Sequence, residues 1–133
     1  MKYVIDTHIF LWLIFNPEKI SKEKLQQLEN PENTIYISSI SFWEVSIKFN
    51  LGKLDLQGVL TEDLPDIATQ MGIMVLNIGE KTMASFYKLE KQDKHKDPFD
   101  RIIIWFCICH SIILMSQDNK FQNYKKLGLL ICE

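Results

Sequence analysis

The amino-acid sequence predicts an α/β domain of three layers, in which a mostly parallel central sheet of about five short strands lies between two layers of helices. Short apolar runs rich in β-branched residues alternate along the chain with longer segments of helical period, and this alternation is typical of βα units and a parallel sheet. The chain has 133 residues and contains no Pro/Gly/Ser-rich linker or internal repeat. We therefore expect a single domain over residues 1–133.

The predicted strands are runs of three to five mainly apolar residues, too short for helices and suited to a sheet covered on both faces. In chain order they are residues 2–5, 35–37, 74–78, 112–115 and 129–131. The segments between them repeat apolar residues at helical spacing. These segments predict helices over residues 8–15, 21–29, 42–50, 61–71, 80–90 and 99–110.

Capping residues support two of the predicted helix starts. Ser21 is a candidate N-cap of the second helix. In the last helix Pro98 suits the first helical position because it has no N–H, which makes Asp97 the N-cap. Asp100 then lies one turn into this helix, from where its carboxylate can point toward Asp6.

Composition indicates a globular protein, since 47% of the residues are hydrophobic and 24% are charged. The number of cysteines is odd, and Cys107 and Cys109 share one apolar run, so we expect no disulfide framework and a cytoplasmic location. The longest apolar run, residues 102–115, has 14 residues where a membrane span needs about 20, and the N-terminus lacks signal-peptide features. We expect no membrane contact. The net charge of −2 gives no general attraction to nucleic acid.

Acidic residues lie where ligands bind in such folds, beyond the carboxyl ends of parallel strands. Asp6 directly follows the first predicted strand, and Asp118 follows the fourth. Glu44 and Asp100 lie in the first turns of helices that face the same edge. Four nearby carboxylates repel one another unless cations bind between them, and Mg²⁺ or Mn²⁺ prefers oxygen ligands. The acids therefore predict a site for a divalent metal ion.

Each acid also has a purely structural explanation. Ser41-Phe42-Trp43-Glu44 matches the capping-box pattern. Asp6 or Thr7 can cap the helix that follows, and Asp118 can form an Asx-turn. The convergence of acids from four separate segments favours the metal site over four independent caps.

Four segments of the sequence together resemble the PIN-domain family and, within it, the VapC-type toxins of bacterial toxin–antitoxin pairs. They are residues 4–8, residues 39–48 with 52–54, residues 95–101 and residues 116–121. The most specific are His95-Lys96-Asp97-Pro98-Phe99-Asp100-Arg101 and the S-x-W-E-x-x-x-K pattern that ends at Lys48. The segments occur in the family's order, and the resemblance extends from residue 1 to about residue 124.

The resemblance implies a metal-dependent endoribonuclease that hydrolyses RNA phosphodiester bonds. Its catalytic, metal-binding acids would be Asp6, Glu44, Asp100 and Asp118, with Mg²⁺ or Mn²⁺ as the ion. The resemblance also implies a cognate antitoxin and a homodimer. One departure bears on partners, because the helix after Arg101 is bulkier than the family's alanine-rich version.

Further polar residues are candidates for holding the ligands or contacting RNA. They are Thr7, Ser116, His95, Lys96, Asp97 and Arg101. Ser116 stands where the family usually has Thr, which keeps a hydroxyl at this position. His95 lies in a polar loop, where an exposed histidine without a function is at least as plausible as a substrate contact. The tryptophans Trp12, Trp43 and Trp105 lie on apolar helical stripes, and we expect them in the core.

A second interpretation is a non-catalytic RNA-binding or scaffold domain of the same fold. The complete set of four acids argues against it, because a metal-free cluster of carboxylates only destabilises the fold. A phosphatase with two aspartates after the first strand would need its second Asp at position 8, where this chain has His8.

Overall fold

A computed structural model describes residues 1–132 of the chain, and within them four parallel strands form one sheet in the order β3-β2-β1-β4. The strands are β1 (Lys2–Ile5), β2 (Thr34–Ser38), β3 (Met74–Leu76) and β4 (Ile113–Met115). Val4 in the inner strand β1 aligns with Tyr36 of β2 on one side and Leu114 of β4 on the other. Residues that follow β1 therefore lie near the middle of the sheet's carboxyl edge.

Six α-helices and four 3₁₀ helices complete the described part of the chain. The α-helices are α1 (Thr7–Phe15), α2 (Lys22–Glu29), α3 (Ser39–Asn50), α4 (Leu64–Gln70), α5 (Glu80–Ala84) and α6 (Pro98–His110). The 3₁₀ helices cover Pro17–Lys19, Thr61–Asp63, Phe86–Lys88 and Asn119–Leu127.

Two hydrophobic cores lie on opposite faces of the sheet. Successive side chains of a strand point to opposite faces, so Tyr3 and Ile5 of β1 enter one core and Val4 enters the other. The first core contains residues of α1, α3 and α4, and the second contains residues of α6 and the 3₁₀ helix Asn119–Leu127. This arrangement confirms the predicted three-layer α/β fold.

The predicted fifth strand is reduced to a single parallel bridge between Leu114 and Ile131. The Leu114 N–H donates to the carbonyl of Leu130 at 2.8 Å, and the Cys132 N–H donates to the carbonyl of Leu114 at 3.0 Å. The segment enters this pairing directly from Gly128, which ends the preceding 3₁₀ helix with φ of +103°.

The helix predicted over residues 80–90 is also shorter than expected. It divides into α5 and the 3₁₀ helix Phe86–Lys88. The indole N–H of Trp105 donates to the carbonyl of Thr82 at 3.1 Å. That carbonyl is the acceptor that the Phe86 N–H would need for the α-helix to continue. The Ser85 hydroxyl donates to the same carbonyl at 3.1 Å, so one tertiary and one local hydrogen bond occupy this acceptor where α5 ends.

Helix α3 begins three residues before its predicted start, so the proposed capping box is wrong. Ser38 is the N-cap, and its hydroxyl accepts from the Ile40 N–H at 3.1 Å. Ser41 and Glu44 lie inside the helix, where their side chains can serve the site. Trp43 is 60% exposed, so its predicted place in the core is also wrong.

The other predicted caps are present. Ser21 accepts from the Lys24 N–H at 3.3 Å at the start of α2. Asp97 accepts from the N–H groups of Phe99 and Asp100 at 2.8 and 3.3 Å, and Pro98 is the first residue of α6. Over the described residues, every helix is too short or too polar to cross a membrane.

Candidate metal centre

Asp6 follows β1 directly and is only 3% exposed. Its Oδ1 accepts from the Ile9 N–H at 2.8 Å, which caps α1, and the Ser116 hydroxyl also bonds to its carboxylate. Burial, with a smaller contribution from the charge of Asp100, raises the pKa of Asp6 to about 6 despite these hydrogen bonds and the nearby His8. Asp6 is therefore a buried acid whose negative charge is incompletely compensated.

Glu44 lies on the second turn of α3, not on the first as predicted, and is only 1% exposed. The Thr7 hydroxyl donates to its Oε1 at 2.6 Å and lies 2.9 Å from the Ser41 hydroxyl. Its Oε2 forms an ion pair with the Lys48 ammonium one turn later. Both carboxylate oxygens thus have partners, and the side chain has a fixed orientation.

Three carboxylates come together between α3 and α6. Glu44, Asp97 and Asp100 each offer one oxygen, and these atoms lie within 4.8 Å of one another. Burial raises the pKa of Asp100, and the charges of Asp97 and Glu44 raise it further, against a lowering by the hydrogen bond with His95. Asp97 uses Oδ1 for both capping bonds, so its second oxygen is not needed by the helix.

Asp118 lies apart from this three-carboxylate cluster. It lines a cleft of about 230 Å³ together with Asp6, His8, Trp12 and Gln117. Its Oδ1 accepts from the Lys120 N–H at 2.9 Å, which is the Asx-type contact that the sequence allowed. The structure therefore places Asp118 and Asp6 on a shared cleft, and the charge of Asp100 contributes to the raised pKa of Asp6.

Lys48 is a site residue that the prediction missed. Burial lowers the pKa of Lys48, but the hydrogen bond to Glu44 and the charges of Asp97 and Asp100 raise it overall. The Lys48 ammonium thus neutralises part of the negative charge of the three-carboxylate cluster. The spacing of Glu44 and Lys48, four residues apart on one helix, is a visible signal for such a pair.

His95 is buried, only 3% exposed, so the interpretation of an exposed loop residue is wrong. Its Nε2 lies 3.0 Å from Asp100 Oδ2 and its Nδ1 lies 3.0 Å from the Tyr124 hydroxyl. The Arg101 Nε–H donates to the same hydroxyl at 3.2 Å. Lys96 is exposed like the other lysines of this stretch, at positions 88, 91 and 94.

The donor set of the cluster fits a hard divalent cation. Carboxylate oxygens are the ligands that Mg²⁺ and Mn²⁺ prefer, and three of them lie close enough to contact one ion. The raised pKa values of Asp6 and Asp100 show that negative charge at this edge is costly without a cation. The arrangement is a candidate site for a divalent metal ion.

A family model described as "PIN domain" matches residues 3–127 of the chain. Among curated protein sequences, none matches the chain. Several solved structures share its fold. VapBC2 from Rickettsia felis, bound to a DNA fragment from its promoter, matches with a TM-score of 0.69 and 20% identity over 99% of this chain and 98% of that one.

Two further structures extend the comparison. VapBC-1 from nontypeable Haemophilus influenzae has a TM-score of 0.69 and 23% identity over 100% of this chain and 98% of that one. The PIN domain endonuclease Utp24 has a TM-score of 0.54 and 18% identity over 98% of this chain and 82% of that one. At these identities the matches show a common fold.

Proposed function

Because the chain belongs to the PIN domain family, we propose that it is a divalent-metal-dependent endoribonuclease that hydrolyses RNA phosphodiester bonds. The observation that carries this proposal is the cluster of Glu44, Asp97 and Asp100, together with the buried Asp6, whose pKa the charge of Asp100 helps to raise. The fold likeness to a PIN domain endonuclease supports a nuclease activity. Buried acids with raised pKa values are also typical of functional sites.

In this proposal Asp6, Glu44, Asp100 and Asp118 hold Mg²⁺ or Mn²⁺, and the second oxygen of Asp97 is a further candidate ligand. A bound ion of this kind supplies Lewis-acid activation of a water nucleophile and neutralises charge that develops on the scissile phosphate.

The chain's own residues orient these ligands. The Ser116 hydroxyl holds Asp6, the Thr7 hydroxyl holds Glu44, and His95 holds Asp100. Lys96 is exposed and close in sequence to the cluster, which suits a contact with the RNA backbone.

The test is RNA cleavage by purified protein on a panel of tRNA, rRNA and mRNA, with Mn²⁺ or Mg²⁺ and with EDTA. We expect cleavage only with a divalent ion. The matched control is Asp100→Asn, prepared in the same way, which separates this activity from a contaminating ribonuclease. Cleavage that continues undiminished in EDTA would refute the metal assignment. RNA binding without cleavage would favour the alternative of a non-catalytic domain.

We further propose that the protein is the toxin of a toxin–antitoxin pair and acts in the cytoplasm. Two structures with this fold are VapBC proteins. The acidic cluster suits an Arg or Lys from a partner, since a guanidinium pairs with carboxylates through two hydrogen bonds. Expression of the chain alone should arrest bacterial growth, and expression of Asp100→Asn should not. Equal growth of both strains at equal protein levels would contradict a toxin role.

A homodimer is the second proposed assembly. An apolar groove of about 310 Å³ runs beside the acidic cluster, between α3, α5 and α6. It is lined by Ile40, Trp43, Met83, Phe86, Pro98, Phe99 and Ile102. The exposed Trp43 ring contacts Phe99 edge-on, with 5.3 Å between centroids. Large exposed apolar surface of this kind is typical of a protein interface, and we assign it to a second copy of the chain.

A further inference from the structure

We propose that His95 is a positioning residue for Asp100 and that Tyr124 and Arg101 hold it in a single tautomer. The inference rests on the proposed function, in which Asp100 is a metal ligand. Its basis is a continuous row of hydrogen bonds. Arg101 Nε lies 3.2 Å from the Tyr124 hydroxyl, that hydroxyl lies 3.0 Å from His95 Nδ1, and His95 Nε2 lies 3.0 Å from Asp100 Oδ2.

Because Arg101 can only donate hydrogen bonds, it determines where the protons of Tyr124 and His95 lie. Arg101 Nε carries a hydrogen and can only donate, so the Tyr124 oxygen accepts from it. The single phenolic hydrogen of Tyr124 is then directed to His95 Nδ1, which must accept. A neutral imidazole that accepts at Nδ1 carries its hydrogen on Nε2.

The Asp100 carboxylate, which can only accept hydrogen bonds, requires the same tautomer of His95. An ionised carboxylate has no hydrogen to donate, so His95 Nε2 must donate to Asp100 Oδ2. The opposite tautomer would place the Nε2 lone pair against the carboxylate and leave the Tyr124 hydrogen buried without an acceptor. Such an unmade hydrogen bond is costly in a protein interior.

The surroundings leave these groups little freedom to rearrange. Tyr124 is fully buried, and the His95 ring packs against Phe121 with 5.5 Å between centroids. The guanidinium of Arg101 also donates to the carbonyl of Glu90 at 2.8 Å. Within residues 1–132, no buried side-chain nitrogen or oxygen lacks a hydrogen-bond partner.

The consequence for the site is a fixed rotation of the Asp100 carboxylate. With Oδ2 bonded to His95, the position of Oδ1 is also set relative to Glu44 and Asp97. Partners that orient a metal ligand in this way typically contribute about 10–100-fold to metal affinity or activity. We therefore expect the hydroxyl of Tyr124, which reaches Asp100 only through His95, to affect Mn²⁺ binding.

The first measurement is the ¹⁵N spectrum of the His95 ring in the metal-free protein, at a pH where the imidazole is neutral. We expect a protonated Nε2 and an unprotonated Nδ1. In Tyr124→Phe we expect the same tautomer, because Asp100 still accepts from Nε2, but a changed Nδ1 chemical shift, because Nδ1 has lost its hydrogen bond. Tyr87→Phe is the control, because it removes a hydroxyl from a tyrosine that is 79% exposed. A protonated Nδ1 in the wild-type protein, or an unchanged spectrum in Tyr124→Phe, overturns the proposal.

The second measurement is Mn²⁺ affinity by calorimetry, which needs no catalytic activity. We expect Tyr124→Phe and His95→Leu to bind Mn²⁺ about 10-fold or more weakly than Tyr87→Phe. His95→Gln should restore much of the affinity, because an amide can accept from Tyr124 and donate to Asp100. Wild-type affinity in both Tyr124→Phe and His95→Leu overturns the positioning role. If the wild-type protein binds no Mn²⁺, the proposed function fails, and the tautomer spectra decide the role of His95 on their own.

Discussion

Asp97 and Asp100 lie three residues apart at the start of α6 and have different partners. Asp97 caps the helix, whereas Asp100 bonds to His95. We expect Asp100→Asn to reduce RNA cleavage by at least roughly 100-fold, on the scale of losing a main transition-state stabiliser. Its stability in EDTA should be equal to or above wild type, because one of several like charges is removed.

Asp97 provides the matched comparison for this experiment. Asparagine caps helices about as well as aspartate, and alanine does not. Asp97→Ala should therefore unfold about 1 kcal/mol more easily than Asp97→Asn in EDTA. Chemical denaturation in EDTA tests the expected stabilities of Asp100→Asn, Asp97→Asn and Asp97→Ala. Cleavage rates in Mn²⁺ for the same variants test the expected loss of activity. An active Asp100→Asn enzyme would show that Asp100 is not part of the metal site.

Lys48 stabilises the metal-free protein through its contact with Glu44. Lys48→Met keeps much of the side-chain length but leaves the Glu44 carboxylate, which is buried, without its ammonium partner. We expect the free energy of unfolding in EDTA to fall by roughly 1–3 kcal/mol, the usual cost of an unsatisfied buried polar group. Lys53→Met removes an exposed lysine nearby and is the control. Equal denaturation midpoints for the two variants would contradict the counterion role.

Asp6 gives the stability of the metal-free protein a defined pH dependence. Folding raises the pKa of Asp6 from 3.8 to about 6, so between these values the folded state binds more protons than the unfolded state. The contribution of Asp6 to the free energy of unfolding therefore falls as pH rises from about 4 to about 6.

Asp6→Asn retains an oxygen that can cap α1 but cannot ionise. We expect it to match wild type near pH 4 and to be more stable by on the order of 3 kcal/mol above pH 6.5. Denaturation in EDTA across this range measures the difference. Asp66→Asn, at an exposed position in α4, should show no such trend, and a stability difference for Asp6→Asn that does not change with pH would contradict the argument.

Local sequence patterns were sufficient to place several site residues. Asp6 follows an apolar run, and the Asp97-Pro98 pair marks a helix start, so both positions could be predicted from a few neighbouring residues. The orientation of His95 could not, because it depends on Tyr124, 29 residues away in sequence. Polar loops usually contain exposed side chains, and only the packed structure shows that this histidine is directed inward.

At the scale of whole elements, α3 and α6 present the apolar groove on the same side as the acidic cluster. Trp43 is 60% exposed, so Trp43→Glu should leave the stability of the monomer within about 0.5 kcal/mol of wild type, as for most surface substitutions. It should also shift the protein from dimer to monomer, because a charge is costly in an apolar interface. Sedimentation velocity at micromolar concentration measures the change.

Leu51→Glu is the control for this experiment, since Leu51 is 59% exposed at the other end of α3. It should leave the dimer intact. A monomeric wild-type protein, or a dimer that persists in Trp43→Glu, would contradict the assignment of the groove to a second copy.

The hydrophobic periodicity predicted the presence of helices and strands more reliably than it predicted their ends. The four strands of the sheet and the helices on both faces follow from the alternation of short and long apolar segments. At the end of α5 the Thr82 carbonyl accepts from both Ser85 and Trp105, and the Trp105 contact, 23 residues away in sequence, is one that no local pattern encodes. The start of α3 at Ser39 was missed because Ser38 and Ser41 are both acceptable caps, and the choice depends on packing.

At the scale of the molecule, metal binding and folding are thermodynamically linked if the cluster binds an ion. A ligand at 100 times its dissociation constant adds about 2.7 kcal/mol to the free energy of unfolding. For a domain of this size that corresponds to an increase in Tm on the order of 10 °C.

We expect this increase when Mn²⁺ is added to EDTA-treated protein, and a much smaller one for Asp100→Asn. Differential scanning calorimetry at constant ionic strength excludes general charge screening as the cause. Equal Tm values with and without saturating Mn²⁺ would show that the cluster does not bind the ion.

The spread of the site along the chain has a consequence for protein synthesis. The first acid is residue 6, yet its neighbour β4 spans Ile113–Met115, and the hydroxyl that orients His95 belongs to Tyr124. A nascent chain on the ribosome therefore has its first ligand long before the strand and the tyrosine that complete the arrangement. Any activity of the proposed site therefore requires that the chain has been synthesised at least through Tyr124.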